Sequence, residues 1–214
     1  MRKFIIIILL ISAMSVSSYF LYRNISEDKI QEKVFNELVT IVSETNNEDY
    51  QKNEVDILKL QEKNSDIIGW VKIKNTSINY PVMYTKDRPN FYLRKNFYKE
   101  YSVWGTPYLS ENCNINTSDN LIIYGHHING HKMFGELEKY KNISFFENHK
   151  IIAFYTAEEL KEYTIFAVFT TTVSNGFQYY KFINFINEDE FNTFINKCTE
   201  LSFYDTKENL KYRR

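Results

Sequence analysis

Phe4 to Tyr22 is an unbroken run of 19 uncharged, mostly apolar residues behind Arg2 and Lys3. About 20 such residues cross a bilayer's hydrocarbon core as a helix, so the run predicts an N-terminal transmembrane anchor over residues 1–23. Basic residues ahead of it favour a cytoplasmic N-terminus and an extracellular remainder, a single-pass arrangement in the cell membrane. A cleaved signal peptide is the alternative, since Ser12, Ala13 and Ser15 are small enough for a cleavage site. The apolar run continues past them, however, through Tyr19, Phe20, Leu21 and Tyr22. Beyond it the period changes. Ile30, Val34, Leu38 and Ile41 recur at helical spacing, and Ile57 and Leu60 resume the pattern after the polar stretch Thr45 to Asp49, predicting a helical stalk over residues 24–64.

From Trp70 the pattern becomes that of short strands. Trp70 to Ile73 and Ser77 to Val82, separated by Lys74, Asn75 and Thr76, read as a hairpin. Gly105 to Leu109, Asn120 to Tyr124, Lys150 to Tyr155 and Glu162 to Thr172 are further strand candidates, rich in β-branched and aromatic residues. Two helices interrupt them. Met133, Phe134 and Leu137 give one short apolar face, and Phe191, Phe194, Ile195, Cys198 and Leu201 give a longer one behind Asn187 and Glu190, which are placed like a capping box. A mainly β domain with covering helices over residues 65–214 is the predicted fold, without an internal repeat or a second-domain boundary.

Composition narrows the function. The 26 Lys and Arg balance 27 Asp and Glu, so no bulk positive charge attracts nucleic acid, and no nucleic-acid partner is expected. Six Gly and three Pro exclude collagen and low-complexity disorder, and two cysteines, Cys113 and Cys198, exclude a disulfide framework. The domain must hold itself together with an apolar core.

The distinctive chemistry lies in Leu121 to Gly130. An apolar strand runs through Tyr124 and Gly125 into His126 and His127, so a rigid element can present the His126 imidazole to a cleft. Both histidines could equally be exposed turn residues. Zinc needs three or four converging ligands, and adjacent histidines at a strand end point apart, so no metal is expected at His126, His127 and His131. A cysteine nucleophile managed by a histidine is a third possibility. Cys198 lies in the apolar stripe of the last helix and reads as a buried hydrophobe. Cys113, in a polar loop 13 residues before His126, reads as exposed, with nothing evident to lower its pKa.

The segments Asp66 to Pro81, Asn90 to Phe97, Gly105 to Leu109 and Ile122 to Tyr140 together resemble a class B sortase. So does Ser144 to Ile152, and the helix Asp189 to Leu201 is similar to one that class B members insert between their sixth and seventh strands. The resemblance covers nearly all of Asp66 to Thr206. It implies a sortase-like β-barrel and a membrane-anchored cysteine transpeptidase of Gram-positive bacteria. Such an enzyme cuts a C-terminal sorting signal on a secreted protein and joins it to a peptidoglycan precursor amine in the cell wall, with no cofactor. His126 matches the family's catalytic histidine, a general acid and base. Tyr124, Leu93 and Thr172 fall near positions that line the substrate groove in relatives, whereas His127 is a neighbour only.

The resemblance also implies a departure. The family's nucleophile sits in a TLSTC-like motif on the seventh strand, and an arginine on the eighth stabilises the oxyanion. Neither is matched before Arg214; Arg213 and Arg214 have no strand context. The expectation is a chain truncated before its last two barrel strands, inactive as it stands and exposing a sheet edge beside His126. A non-catalytic extracytoplasmic peptide- or wall-binding module is the alternative.

Overall fold

The structure, a computed structural model, describes residues 2–43, 55–172, 174, 176–206 and 210–212. The polar stretch Thr45 to Asp49 and the arginines Arg213 and Arg214 lie outside the described residues. Helix α1 spans Arg2–Ser43 without interruption. It contains neither Gly nor Pro, so nothing breaks the backbone ladder between the apolar run and the amphipathic stretch that follows. The apolar part is fully exposed and is long and apolar enough to cross a membrane. Further along, Gln31, Val34, Phe35, Leu38 and Val42 are buried, so this half of α1 packs on the body of the protein. Phe35 stacks edge-on against Tyr80 and parallel to Trp104.

The short helix α2, Ile57–Lys63, leads into the sheet, capped by Asp56, whose carboxylate accepts from Lys59 N. Strands β1 (Ile67–Lys72) and β2 (Asn79–Met83) form the expected hairpin, with Trp70 opposite Pro81 and Asn75 at φ 62° in the turn. β3 (Tyr108–Leu109) runs parallel to β2, and β4 (Ile123–Tyr124) pairs antiparallel with β3. A small hairpin follows, β5 (His127–Ile128) with β6 (Lys132–Met133). After the 3₁₀ helix Phe134–Lys141 and α3 (Ile143–Asn148) come β7 (Ile151–Tyr155), which returns beside β1, and β8 (Leu160–Thr164). The curled sheet has the order β4-β3-β2-β1-β7-β8. Helix α4, Glu188–Leu201, is capped as expected by Asn187, whose side chain accepts from Glu190 N at 2.9 Å.

The strand expected over Glu162 to Thr172 ends at Thr164. Its ladder with β7 closes where Ile165 N donates to Lys150 O, and the next residues turn instead to the segment after α4. Phe203 N donates to Val168 O, Val168 N to Ser202 Oγ and Thr206 Oγ1 to Phe166 O. The β-branched and aromatic residues there have β propensity but no neighbouring strand among the described residues, and propensity alone does not make a ladder. The strand expected over Asn120 to Tyr124 is likewise shortened, because Asn120 bonds to Ile183 O and Phe182 O and Ile122 N donates to the Cys113 sulfur.

β4 and β8 are the edges of the sheet. Across the concave face between them lie two cavities, of about 630 and 490 Å³, that share Phe134, Leu137 and Ile152 in their walls. The first is lined by apolar side chains of β1, β4 and β7, including Val71, Ile123 and Phe154.

Candidate active site

β4 ends at Tyr124, and Gly125 carries the chain into His126. A side chain at Gly125 would collide with the Phe134 ring, so glycine lets the strand end lie flat against that ring. Phe134 N in turn donates to His126 O at 3.0 Å, which closes the β5–β6 hairpin and fixes the histidine backbone. The half-buried imidazole places Nε2 2.8 Å from the carbonyl oxygen of Leu93. A carbonyl oxygen only accepts, so Nε2 carries the proton. Nδ1 has no protein partner among the described residues. An imidazole tethered at one nitrogen and free at the other can take or give a proton at the free one.

The Leu93 carbonyl is itself held in place. Leu93 lies in the 3₁₀ turn Phe91–Arg94, next to fully buried Tyr92. The Tyr92 hydroxyl donates to Asp66 Oδ2 at 2.8 Å and accepts from Asn64 Nδ2, also at 2.8 Å. Arg88 and Lys99 complete the knot around Asp66, at 3.0 and 3.1 Å. Burial alone would raise the Asp66 carboxyl, but the hydrogen bonds from Tyr92 and Lys99 and the charges of Lys99 and Arg88 outweigh it and hold it below the usual value. Gly105, at φ 62°, supplies the last element: a Cβ there would stand 2.6 Å from both the Tyr92 and Leu93 oxygens. Sequence reading places Leu93 as a lining side chain; the structure gives its backbone oxygen a second part, and Gly105 is the one sequence signal of that close approach.

Tyr124 lies two residues before His126, its ring 5.5 Å from that of Tyr108. Burial pushes the Tyr124 phenol up, with Tyr179 close enough to add to the effect. Tyr179 also lines a small cavity with Phe169, Thr170 and Thr171, next to exposed Thr172. Thr172 accepts from Gly176 N at 2.9 Å and makes no described contact with His126. His126 is thus joined to Leu93, Tyr124 stands at the end of the strand that leads to His126, and Tyr179, an unanticipated neighbour of Tyr124, lines the small cavity beside Thr172.

The other candidate ligands diverge. His127 turns its ring to Glu138, 3.3 Å away, and His131 is exposed at a left-handed turn position. Among the described residues no three His, Cys, Asp or Glu side chains converge. Cys113, expected as an exposed loop thiol, is instead 2% exposed. Its sulfur donates to Asn120 O and accepts from Ile122 N, because the loop folds back under β4 instead of projecting into solvent. Cys198 is buried as expected. Burial raises both thiols, that of Cys198 to about 11.

No protein-family model matches the chain. The sortase B of Staphylococcus aureus is 28% identical over 213 residues, covering 98% of this chain and 86% of that protein. Its solved complex with substrate superposes with a TM-score of 0.71 at 29% identity, over 87% of this chain and 83% of the other. A sortase B solved with a triglycine peptide gives 0.73 at 28% identity, over 87% and 84%. The sortase B of Listeria monocytogenes is 30% identical with a TM-score of 0.63, covering 72% of this chain and 86% of that one. By sequence and fold alike, the chain belongs to the sortase B family of cysteine transpeptidases.

Proposed function

We propose that this chain presents the histidine side of a class B sortase site, with His126 as the proton-transfer residue. Its substrates are secreted proteins bearing a C-terminal sorting signal, and its acceptor is an amine of a peptidoglycan precursor. The observation that carries the reading is the imidazole at the end of β4, tied through Nε2 to Leu93 O and free at Nδ1. A group so placed can protonate a leaving amine and then activate an incoming one, worth about 10² to 10⁴ in rate. The substrate and triglycine complexes of similar enzymes support the same two substrate classes. In this reading Tyr124, the Leu93 side chain and Thr172 line the groove for the sorting signal.

Residues 1–23 serve as the anchor, 24–64 as the link and 65–214 as the site-bearing domain. Arg2 and Lys3 ahead of the apolar run favour the domain outside the cell. The part of the link within α1 is docked on the domain, given the burial of Val34, Phe35, Leu38 and Val42.

Transpeptidation also needs a thiolate. Cys113 and Cys198 are buried with raised pKa values, so neither meets that need near neutral pH. Residues 1–214 alone are therefore inactive in this reading. The test incubates the full chain in detergent with fluorogenic sorting-signal peptides, with and without triglycine and a thiol-reactive inhibitor. Peptide binding without turnover is the expected result, with affinity reduced in Tyr124→Ala. Inhibitor-sensitive cleavage would show that one of the two buried cysteines does become reactive.

A further inference from the structure

α1 runs without a break from the apolar stretch onto the body of the protein. The first side-chain hydrogen bond joining the two is Trp104 Nε1 to Asp28 Oδ1, at 2.8 Å. Lys132 Nζ reinforces it from the β5–β6 hairpin, 3.2 Å from Asp28 and 2.8 Å from Glu32. Asp28 is six residues past Tyr22, about 9 Å along the helix axis at 1.5 Å per residue. The headgroup layer on each side of a bilayer is roughly 5–8 Å thick. The docked body therefore begins at the outer limit of the headgroups, and any part reaching back along α1 enters them.

One part does. The turn between Asn96 and Ser102 is firmly built: Asn96 N donates to Glu100 O, Asn96 Oδ1 accepts from Glu100 N, and Lys95 bridges to Tyr101 through the backbone. Yet it holds out the Tyr101 side chain, 58% exposed and with its hydroxyl unbonded among the described residues. Arg23, paired to Glu27 at 2.9 Å, lies within electrostatic reach of both Tyr19 and Tyr101. Tyrosines with an apolar ring and a wet hydroxyl favour this depth.

We propose that the turn bearing Tyr101 is a membrane foot, with the Tyr101 ring seated in the headgroup layer beside Tyr19 and Tyr22. Lipid contact at the foot and the clamp at Asp28 together set the tilt of the domain on its helix. Ser102 N donates to Arg94 O at 3.1 Å, so the foot hangs directly from the segment whose Leu93 carbonyl holds His126. Granted the function proposed above, the foot keeps the His126 cleft beside the bilayer, where a substrate still tethered to the membrane presents its sorting signal.

The test uses the full chain in phosphatidylcholine–phosphatidylglycerol nanodiscs carrying a headgroup spin label. Tyr101→Cys is labelled with a fluorophore, and Ile186→Cys serves as the reference. Cys113 and Cys198, 2% and 3% exposed, leave the introduced thiol as the reactive one. Ile186 is 75% exposed and belongs to the segment joined to Asn120, at the other end of β4 from His126. The expected result is a loss of about half the fluorescence or more at 101, with little at 186, as interfacial depth requires. Equal quenching at the two sites, or none at 101 in a chain that floats with the lipid, overturns the foot; a chain that does not float overturns it through α1. The measurement needs no turnover, so its failure is separate from any failure of the enzymatic reading.

Discussion

Replacing Gly105 by alanine tests whether the Leu93 carbonyl is held by design of the local backbone. Two costs add at this position. The left-handed φ of 62° is unfavourable for any residue with a Cβ, by about 1 kcal/mol. The new methyl would also stand 2.6 Å from two carbonyl oxygens, so the backbone must move, which for a packed site costs about 1–3 kcal/mol. The carbonyl that moves is the acceptor of His126 Nε2–H, and weakening that bond adds about 0.5–1.5 kcal/mol. The sum is roughly 2.5–5.5 kcal/mol.

Gly130 is a built-in control. Its φ of 76° carries the same conformational cost, but nothing lies within 4 Å of its added Cβ. Gly130→Ala should cost about 1 kcal/mol, less a few tenths for the reduced freedom of the unfolded chain. Urea unfolding of the two variants in the same detergent gives the difference directly, and nitrogen-detected NMR of the imidazole reports whether Nε2 keeps its proton. If Gly105→Ala is no more destabilising than Gly130→Ala, or leaves the His126 ring signals unchanged, the carbonyl tether does not govern the histidine.

Asp66→Asn removes the charge at the centre of the Tyr92–Arg88–Lys99 knot and should cost about 1–3 kcal/mol near neutral pH. The folded Asp66 pKa lies below its ordinary value, so this contribution is complete above the ordinary value and is lost as the pH falls through the folded one. The gap between wild type and variant in urea midpoint should therefore close on acidification; a constant gap would mean that the charge is irrelevant. Iodoacetamide should leave Cys113 and Cys198 unmodified in the native chain near pH 7.5 and label both after unfolding, as burial and raised thiol pKa values require. Rapid native labelling, read by mass spectrometry, would contradict their place in the core.

The parts of the fold legible in the sequence are those where local pattern and tertiary context agree. The hairpin from Trp70 to Val82 joins two short apolar, β-prone runs across a polar turn and pairs as such runs do, and the Asn187 cap obeys a rule complete within four residues. The run from Ile165 to Thr172 misleads because its side chains suit a strand, while past Ile165 its described hydrogen bonds go to scattered atoms of 176–177 and 202–206 and form no ladder. Cys113 misleads in the opposite way: its neighbours are polar, but the loop folds its sulfur inward to serve two backbone groups of the chain entering β4. In the site, His126 and Tyr124 are legible as a strand end running into a glycine. The tether to Leu93 is not, because a backbone oxygen has no residue identity, and its trace is a glycine twelve residues further on.

That glycine also joins the site to helix α1. Trp104 gives its indole N–H to Asp28 of α1, and the next residue, Gly105, makes room for the Leu93 carbonyl that holds His126. Ser102 Oγ accepts from the N–H groups of both 104 and 105, so the two positions move as one. Buried Trp104 cannot leave its N–H unpaired without a cost of about 1–3 kcal/mol, and that cost opposes sliding of the helix against the body. A continuous series of directed contacts thus runs from α1 through Asp28, Trp104, Gly105 and Leu93 to the imidazole. Each link is a hydrogen bond or a hard steric limit. The position of His126 relative to α1 is consequently set by the helix register at Asp28.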